Sequence, residues 1–63
     1  MLTKTNLKDL ELVLVRPEAE PRAVQVDAWL GDLYLGQRTF YASTIKEAHN
    51  SAVRIINQHG SLN

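Results

Sequence analysis

Cysteine is absent from this chain of 63 residues. Its absence excludes disulfides and thiolate metal sites, and it is compatible with a reducing compartment. A chain of this length buries only about 60% of the surface that its unfolded form exposes, so its stability is marginal. Since disulfides and metals are excluded as stabilising devices, self-association is the expected source of further stability.

An excess of either charge is also lacking, because seven Lys and Arg residues balance seven Asp and Glu residues. Proteins that bind nucleic acids usually carry a basic patch that neutralises phosphates, and no segment here gathers one. The start, "MLTKTNLKDL", lacks the apolar stretch of a signal peptide, and no run is long enough to span a bilayer. We therefore expect a soluble cytoplasmic protein with no membrane partner.

Residues for catalysis or metal binding are sparse. His49 and His59 are the only histidines, and on a helix their spacing places them about 15 Å apart, too far to share a metal. The three glycines are isolated, so no phosphate-binding loop is present. We expect no catalytic residue, no metal, no cofactor and no small-molecule substrate, hence a protein that is not an enzyme.

The first strand is predicted at "LELVLV", residues 10–15, after a polar leader at 1–8 that we expect to be loosely ordered. Leucines occupy one face of this strand and valines the other, which is typical of a strand covered on both sides. Pro17 and Pro21 end the strand because proline cannot donate to a ladder. The long loop leaves open which of its two faces turns toward the helix.

A hairpin follows, with "AVQVDAWL" returning through "GD" into "LYLGQRTFYA". Glycine at the first turn position favours a type II′ turn, and a two-residue loop sets the register. The predicted pairs are Leu30 with Leu33, Trp29 with Tyr34, Ala28 with Leu35, and Gln25 with Arg38. Gly36 inside a strand indicates a bulge or a close contact, and a bulge there would move Phe40 to the helix side.

A C-terminal helix is predicted at 44–59. Thr44 is the expected N-cap, Glu47 completes a capping box, and Gly60 ends the helix. An apolar stripe recurs at helical spacing: Ile45, Ala48, Ala52, Ile55 and Ile56. The chain is thus a single domain, 1–63, of the α+β class: a three-stranded antiparallel sheet in order 1-2-3 (10–42) with one helix packed on one face, against Val24, Val26, Leu30, Leu33 and Leu35.

Trp29, Tyr34, Arg38 and Phe40 are expected together on the face that the helix leaves uncovered. Aromatic pairs can simply stabilise a hairpin. However, these residue types are enriched at interaction hot spots, and exposed apolar patches usually mark interfaces. We expect a non-catalytic module that forms a homodimer or docks another protein through this face. A dimer could form face to face, or by edge pairing of the first or third strand.

The order of elements in "LELVLVRPEAEPRAVQVDAWLGDLYLG" and "TIKEAHNSAVRII" resembles the last three strands and final helix of a double-stranded-RNA-binding domain. The resemblance covers most of the chain from Leu10 to Ile56, but the family's first helix and its Gly-Pro-x-His loop have no counterpart. Of the family's phosphate-binding lysines only Lys46 matches, with His49 as a partial substitute. The resemblance implies the topology, and members that lose RNA binding often serve as dimerisation or docking modules.

The stretch "TFYASTIKEA" is similar to part of the arm-type DNA-binding domains of tyrosine recombinases, which read DNA with the exposed sheet face. Asp27 on that face opposes such a role. The alternative function is therefore nucleic-acid binding, of double-stranded RNA or DNA, in which Lys46, His49, Arg54 and Arg38 contact phosphates.

Overall fold

The computed structural model describes residues 8–63, which form three antiparallel strands followed by one helix. The strands lie in one sheet in the order β1-β2-β3, so the predicted α+β class and topology are confirmed. All of the predicted leader except Lys8 lies outside the described residues. The elements are β1 Leu10–Val15, β2 Ala23–Leu30, β3 Leu33–Tyr41 and α1 Ile45–His59.

β1 turns its leucines toward the helix and its valines away from it. Leu12 pairs with Ala28 and Leu14 with Val26, and the leucines of β1 pack against the buried core. Because side chains alternate along a strand, Val13 and Val15 point to the other face of the sheet. The orientation that the sequence left open is thereby determined.

The hairpin turn at Gly31 and Asp32 has the predicted form. Gly31 has a φ of 62°, and within residues 8–63 no residue other than glycine has a positive φ, as in a type II′ turn. Leu30 pairs with Leu33 and Trp29 with Tyr34, as expected. Leu33 itself is 61% exposed, so the predicted contact of this residue with the helix is wrong. The helix does not cover this end of the hairpin.

Beyond Trp29 the predicted register is wrong by one residue, because β3 contains a bulge. Ala28 pairs with Gly36, which leaves Leu35 as the extra residue, and Gln25 pairs with Thr39. Gly36 has a φ of 108°, which residues with a side chain rarely adopt. The glycine that indicated a bulge therefore supplies the backbone conformation that the bulge uses.

The bulge reverses the alternation of β3 from Gly36 onward. Phe40 now pairs with Val24 and packs against the core, and Arg38 pairs with Val26. Both residues therefore lie on the helix side of the sheet, with Arg38 exposed at the edge strand. Their predicted place on the uncovered face is wrong, and the conditional expectation for Phe40 is confirmed.

α1 begins and ends as its sequence indicates. The hydroxyl of Thr44 accepts a hydrogen bond of 3.1 Å from the Glu47 amide, and Gly60 ends the helix in the left-handed conformation. The Glu47 carboxylate accepts from the Ser43 hydroxyl at 3.1 Å. Among the described hydrogen bonds, the capping box is therefore formed in one direction, with Ser43 as the partner of the carboxylate.

The core lies between the helix and one face of the sheet, and Leu62, in the tail after the helix, completes it. Val24, Val26, Ala28, Ala48, Ala52 and Ile56 are fully buried, and Leu35 and Leu62 nearly so. Ile45, predicted on the buried stripe, is 46% exposed at the start of the helix. The Leu62 amide donates to the Leu35 carbonyl at 2.9 Å, so the tail is attached at the bulge.

Across residues 8–63, the structure contains no helix with the length and apolar character needed to cross a membrane.

Candidate functional site: the open face of the sheet

We call the surface that α1 leaves uncovered the open face. It consists of the side chains that alternate with the buried ones along each strand. Its members are Glu11, Val13 and Val15 of β1, Gln25, Asp27 and Trp29 of β2, and Tyr34, Gln37, Thr39 and Tyr41 of β3. Strand pairing arranges them in rows across the sheet, so that Glu11, Trp29 and Tyr34 form one row and Val13, Asp27 and Gln37 the next.

An aromatic pair occupies the hairpin end of the open face. The ring centroids of Trp29 and Tyr34 are 5.0 Å apart and the rings are tilted by 47°. This geometry lies within the range favoured by aromatic pairs and contributes about 0.5 to 1.5 kcal/mol beyond area burial. The bulge begins directly after this pair, so the pair lies in the part of the hairpin whose register the turn controls.

Asp27 links the aromatic pair to the centre of the open face. Its Oδ1 accepts one hydrogen bond of 2.8 Å from the Tyr34 hydroxyl and another of 3.1 Å from the Gln37 side-chain amide. Both donors are neutral groups on β3, so the bonds hold β2 and β3 together across the face without compensating the charge of the carboxylate. The tyrosine ring is consequently held in position by both a ring contact and a hydrogen bond.

The Asp27 hydrogen bond raises the pKa of Tyr34 above its ordinary value of 10.0, with desolvation and the negative charge of the carboxylate as smaller causes. All three effects favour the neutral phenol, because the phenol donates to the carboxylate and a phenolate would be repelled by it. Tyr34 therefore keeps its proton, and its hydrogen bond, throughout the neutral range.

Apolar side chains at the margins of the open face remain accessible to solvent. Val13 is 43% exposed, Val15 51% and Tyr34 50%, and Tyr41 is more exposed still. Trp29 is half-buried. Between these margins lie the polar residues Gln25, Asp27, Gln37 and Thr39. The open face thus combines an apolar rim with a polar centre, an arrangement unlike a uniform hydrophobic patch.

The charge of the open face has one sign. Glu11 and Asp27 are its charged members, and no Lys, Arg or His belongs to it. Arg38, which was expected to supply a cation, lies on the helix side after the bulge. A surface with two carboxylates and exposed aromatic rings repels phosphates and suits a cationic or neutral group.

The structure brings together two of the four residues predicted to bind a partner. Trp29 and Tyr34 form the aromatic pair, whereas Arg38 and Phe40 lie on the other side of the sheet. The valines of β1 and the Asp27 hydrogen bonds were not among the predicted site residues. Gly36 was the sequence signal for the bulge that places Arg38 and Phe40 on the other side. The valines were missed because the sequence left open which face of β1 turns toward the helix.

The helix residues proposed for phosphate contact spread over a wide arc of the surface of α1. Lys46, His49 and Arg54 are all exposed, and the Arg54 guanidinium lies 3.5 Å from the Ser51 hydroxyl. At about 100° per residue, His49 and Arg54 point about 140° apart around the helix axis. Lys46 lies between them, so the three side chains span about 140° of the helix circumference.

A shallow groove of about 420 Å³ lies at the far end of the hairpin, lined by Arg22, Tyr41, Ala42 and Ser43. It is open to solvent, and the hydroxyl of Ser43 at its wall donates to the Glu47 carboxylate in the first turn of α1. Across residues 8–63, no group of three or more His, Cys, Asp and Glu side chains is arranged to hold a metal ion.

Comparison of the chain with protein-family models, with curated proteins and with solved structures finds no significant match.

Proposed function

We propose that this protein is a non-catalytic binding module of the cytoplasm that acts by protein–protein interaction through the open face of its sheet. The observation that supports the proposal is the exposure of Val13, Val15 and Tyr34 on one face, next to Trp29. Trp and Tyr are enriched among residues that dominate binding energy, and their positions here are already restrained before a partner binds.

The charge of the open face narrows the partner's chemistry. Glu11 pairs with Trp29, and Trp29 with Tyr34, so a carboxylate and two rings lie in one row. A Lys or Arg side chain placed on this row would contact an aromatic ring and a carboxylate at once. The proposal therefore favours a protein surface that presents an apolar group beside a cation.

Trp29 offers a direct test because it is the chain's single tryptophan. Its fluorescence reports whether the open face is covered, either by a second copy or by another protein. We expect the emission to shift to shorter wavelength when a partner binds, since the indole leaves water. The emission is recorded across a concentration series of the purified protein, in which no other tryptophan contributes.

Trp29→Ala should abolish capture of the partner while leaving the circular dichroism spectrum unchanged. Ile45→Ala is the matched control, because it truncates an exposed apolar side chain that lies outside the open face. If a folded Trp29→Ala protein retains the same partners and the same mass in solution as the wild type, the proposal is wrong.

A further inference from the structure

The two edges of the sheet, β1 and β3, differ in how far they are protected against pairing with a further strand. β3 contains the bulge, and outside its ladder with β2 the Leu35 carbonyl accepts from the Leu62 amide at 2.9 Å. The Asn63 side chain occupies the position that a Cβ on Gly36 would take. The tail and the bulge together interrupt this edge at Leu35 and Gly36, and the rest of the edge strand carries the charged Arg38; irregularities and charges of this kind disfavour pairing with a further strand.

Two backbone hydrogen bonds at the ends of the ladders show which N–H and C=O groups of β1 are not bonded to β2. The Gly31 amide donates to the Asp9 carbonyl at 3.1 Å, so Asp9 turns its polar groups toward β2. In an antiparallel pair this orientation alternates, and therefore Glu11, Val13 and Val15 bond to β2. The Ala42 amide donates to the Arg22 carbonyl at 3.0 Å. The even-numbered residues of β2 therefore hydrogen-bond to β3 and the odd-numbered ones to β1, which agrees with the alternation in β1.

Leu10, Leu12 and Leu14 consequently direct their N–H and C=O groups outward from the sheet. Within residues 8–63 the structure shows no backbone hydrogen bond to these outward groups. The strand contains no proline or lysine and one charged side chain, Glu11. Edge strands of natural proteins normally carry such protective residues, so an edge without them is prepared for a further strand.

We infer that β1 pairs antiparallel with β1 of a second copy of this chain, forming a continuous six-stranded sheet. Residues directly opposite each other in the two copies of β1 must have their side chains on the same face, so the two-fold axis passes through a residue of the strand. Leu12 and Val13 are the two residues at the centre of β1, and the axis passes through one of them. An axis at Leu12 would place Lys8 opposite Arg16 of the second copy, and directly opposed like charges are destabilising. The charges therefore select the axis at Val13.

In this register Leu12 exchanges both backbone hydrogen bonds with Leu14 of the second copy. Glu11 lies opposite Val15 of the second copy, so the two Glu11 carboxylates are separated by about 13 Å along the strands. The half-buried leucines of β1 continue the apolar layer under both helices. Self-association also supplies the extra burial that a chain of this length needs.

The resulting dimer has both helices on one side and both open faces on the other. The inference does not depend on the proposed function, since the edge and the open face use different groups. The dimer would double the open face without covering Trp29. The two ideas can therefore fail separately.

Amide hydrogen exchange tests the inference on the unmodified protein. At high concentration we expect the amides of Leu12 and Leu14 to exchange at least about tenfold more slowly than after dilution to the monomer. The amides of Val13 and Val15 serve as internal controls, because their bonds to β2 persist in both states. Light scattering on the same samples gives the mass.

Two results would overturn the inference. One is fast exchange of Leu12 and Leu14 in a protein that stays monomeric at the highest concentration reached. The other is protection of these amides in a monomer, which would mean that residues 1–7 cover the edge.

A backbone change gives the complementary test, because 63 residues are accessible to chemical synthesis. N-methylation of the Leu14 amide removes an outward donor and keeps the side chain, so we expect a folded monomer. N-methylation of Glu18, in the loop, is the control and should leave the dimer intact. A Leu14-methylated dimer that Trp29→Ala converts to monomer would show face-to-face association, which overturns this inference and supports the proposed function.

Cysteine cross-linking keeps the inference testable if the methylated chain does not fold. Opposed residues of a non-hydrogen-bonded pair have Cα atoms about 4.5 Å apart, within the range that a disulfide spans. Val13→Cys should therefore oxidise to a covalent dimer, whereas Thr39→Cys, on the open face at the blocked edge, should do so at least about tenfold more slowly. Equal rates for the two variants would contradict the proposed axis.

Discussion

The covered face and the open face are built from alternate residues of the same strands, but different interactions hold them. On the covered face Val24, Val26 and Ala28 are removed from water completely. On the open face a ring contact and the hydrogen bonds of Asp27 connect the strands while the side chains remain hydrated. Burial of apolar surface contributes more than exposed polar contacts, so the covered face should determine stability and leave the open face free to vary.

The largest contrast is expected between two isoleucines on the same helix. Ile56→Ala removes a fully buried side chain and should destabilise the protein by about 3 kcal/mol. Ile45→Ala removes one that is 46% exposed and should cost under about 1 kcal/mol. Urea unfolding followed by circular dichroism measures both. Equal losses would mean that Ile45, at the start of the helix, is packed as deeply as Ile56 near its end.

Two valines, one on each face of the sheet, allow the same comparison of stability losses. Val26→Ala empties space in the core and should cost about 2 kcal/mol. Val13→Ala, on the open face, should cost about 0.5 kcal/mol or less, because its side chain is already 43% exposed. Both are measured by unfolding at a concentration where the protein is monomeric. A larger loss for Val13 would show that the open face is covered within the monomer.

Gly36→Ala tests the bulge, which decides the face on which each later residue of β3 lies. The substitution should cost about 1.5 kcal/mol, because a φ of 108° is unfavourable for a residue with a Cβ. Asn63→Ala removes the side chain that meets this Cβ and provides the control background. We expect the loss to persist there. Full recovery in the double variant would assign the cost to the steric contact instead of the backbone.

The pH dependence of the Tyr34 hydrogen bond is a smaller effect. Because its pKa is raised in the folded state, the folded protein holds this proton more tightly than the unfolded chain. The contribution to stability is therefore present below the ordinary pKa of 10.0 and is lost as the pH rises through the folded value. Ultraviolet titration should show one late tyrosine that Tyr34→Phe removes. A wild type that shows no late step would contradict this.

We expect the protein not to bind nucleic acids. The open face carries two carboxylates, and the helix cations diverge. We expect duplex RNA and duplex DNA to show no retardation in a gel at low salt with micromolar protein. Retardation that weakens steeply with salt would restore the alternative function, since phosphate contacts release counterions. Lys46→Ala and Arg54→Ala would then identify which side of the helix is used.

Local signals in the sequence were sufficient for most of the fold. The turn at Gly31, the cap at Thr44 and the stripe through Ala48 and Ile56 act over a few residues, and each predicts its own element correctly. The sheet order followed because strands that are consecutive in the sequence are usually neighbours in the sheet. These are the features that nearby residues determine by themselves.

Features that depend on distant contacts were not predictable. The bulge at Gly36 is accompanied by Leu62 and Asn63, which arrive from the other end of the helix. The orientation of β1 is set by leucines that meet the core after a loop of seven residues. Consequently Arg38 and Phe40 were assigned to the wrong face, whereas Trp29 and Tyr34, next to the turn, were assigned correctly.

The extra residue in β3 also has a consequence for how this chain diverges or is redesigned. Deleting Leu35 would remove the bulge but leave Gly36 to Tyr41 opposite their present partners in β2, so Arg38 and Phe40 would stay on the helix side. A change that made the strand regular while keeping Leu35 would instead shift the register by one residue, and Arg38 and Phe40 would replace Gln37 and Thr39 on the open face. An alignment with a strand that lacks the bulge should therefore place its gap at Leu35, because a gap elsewhere in β3 would compare residues from opposite faces of the sheet.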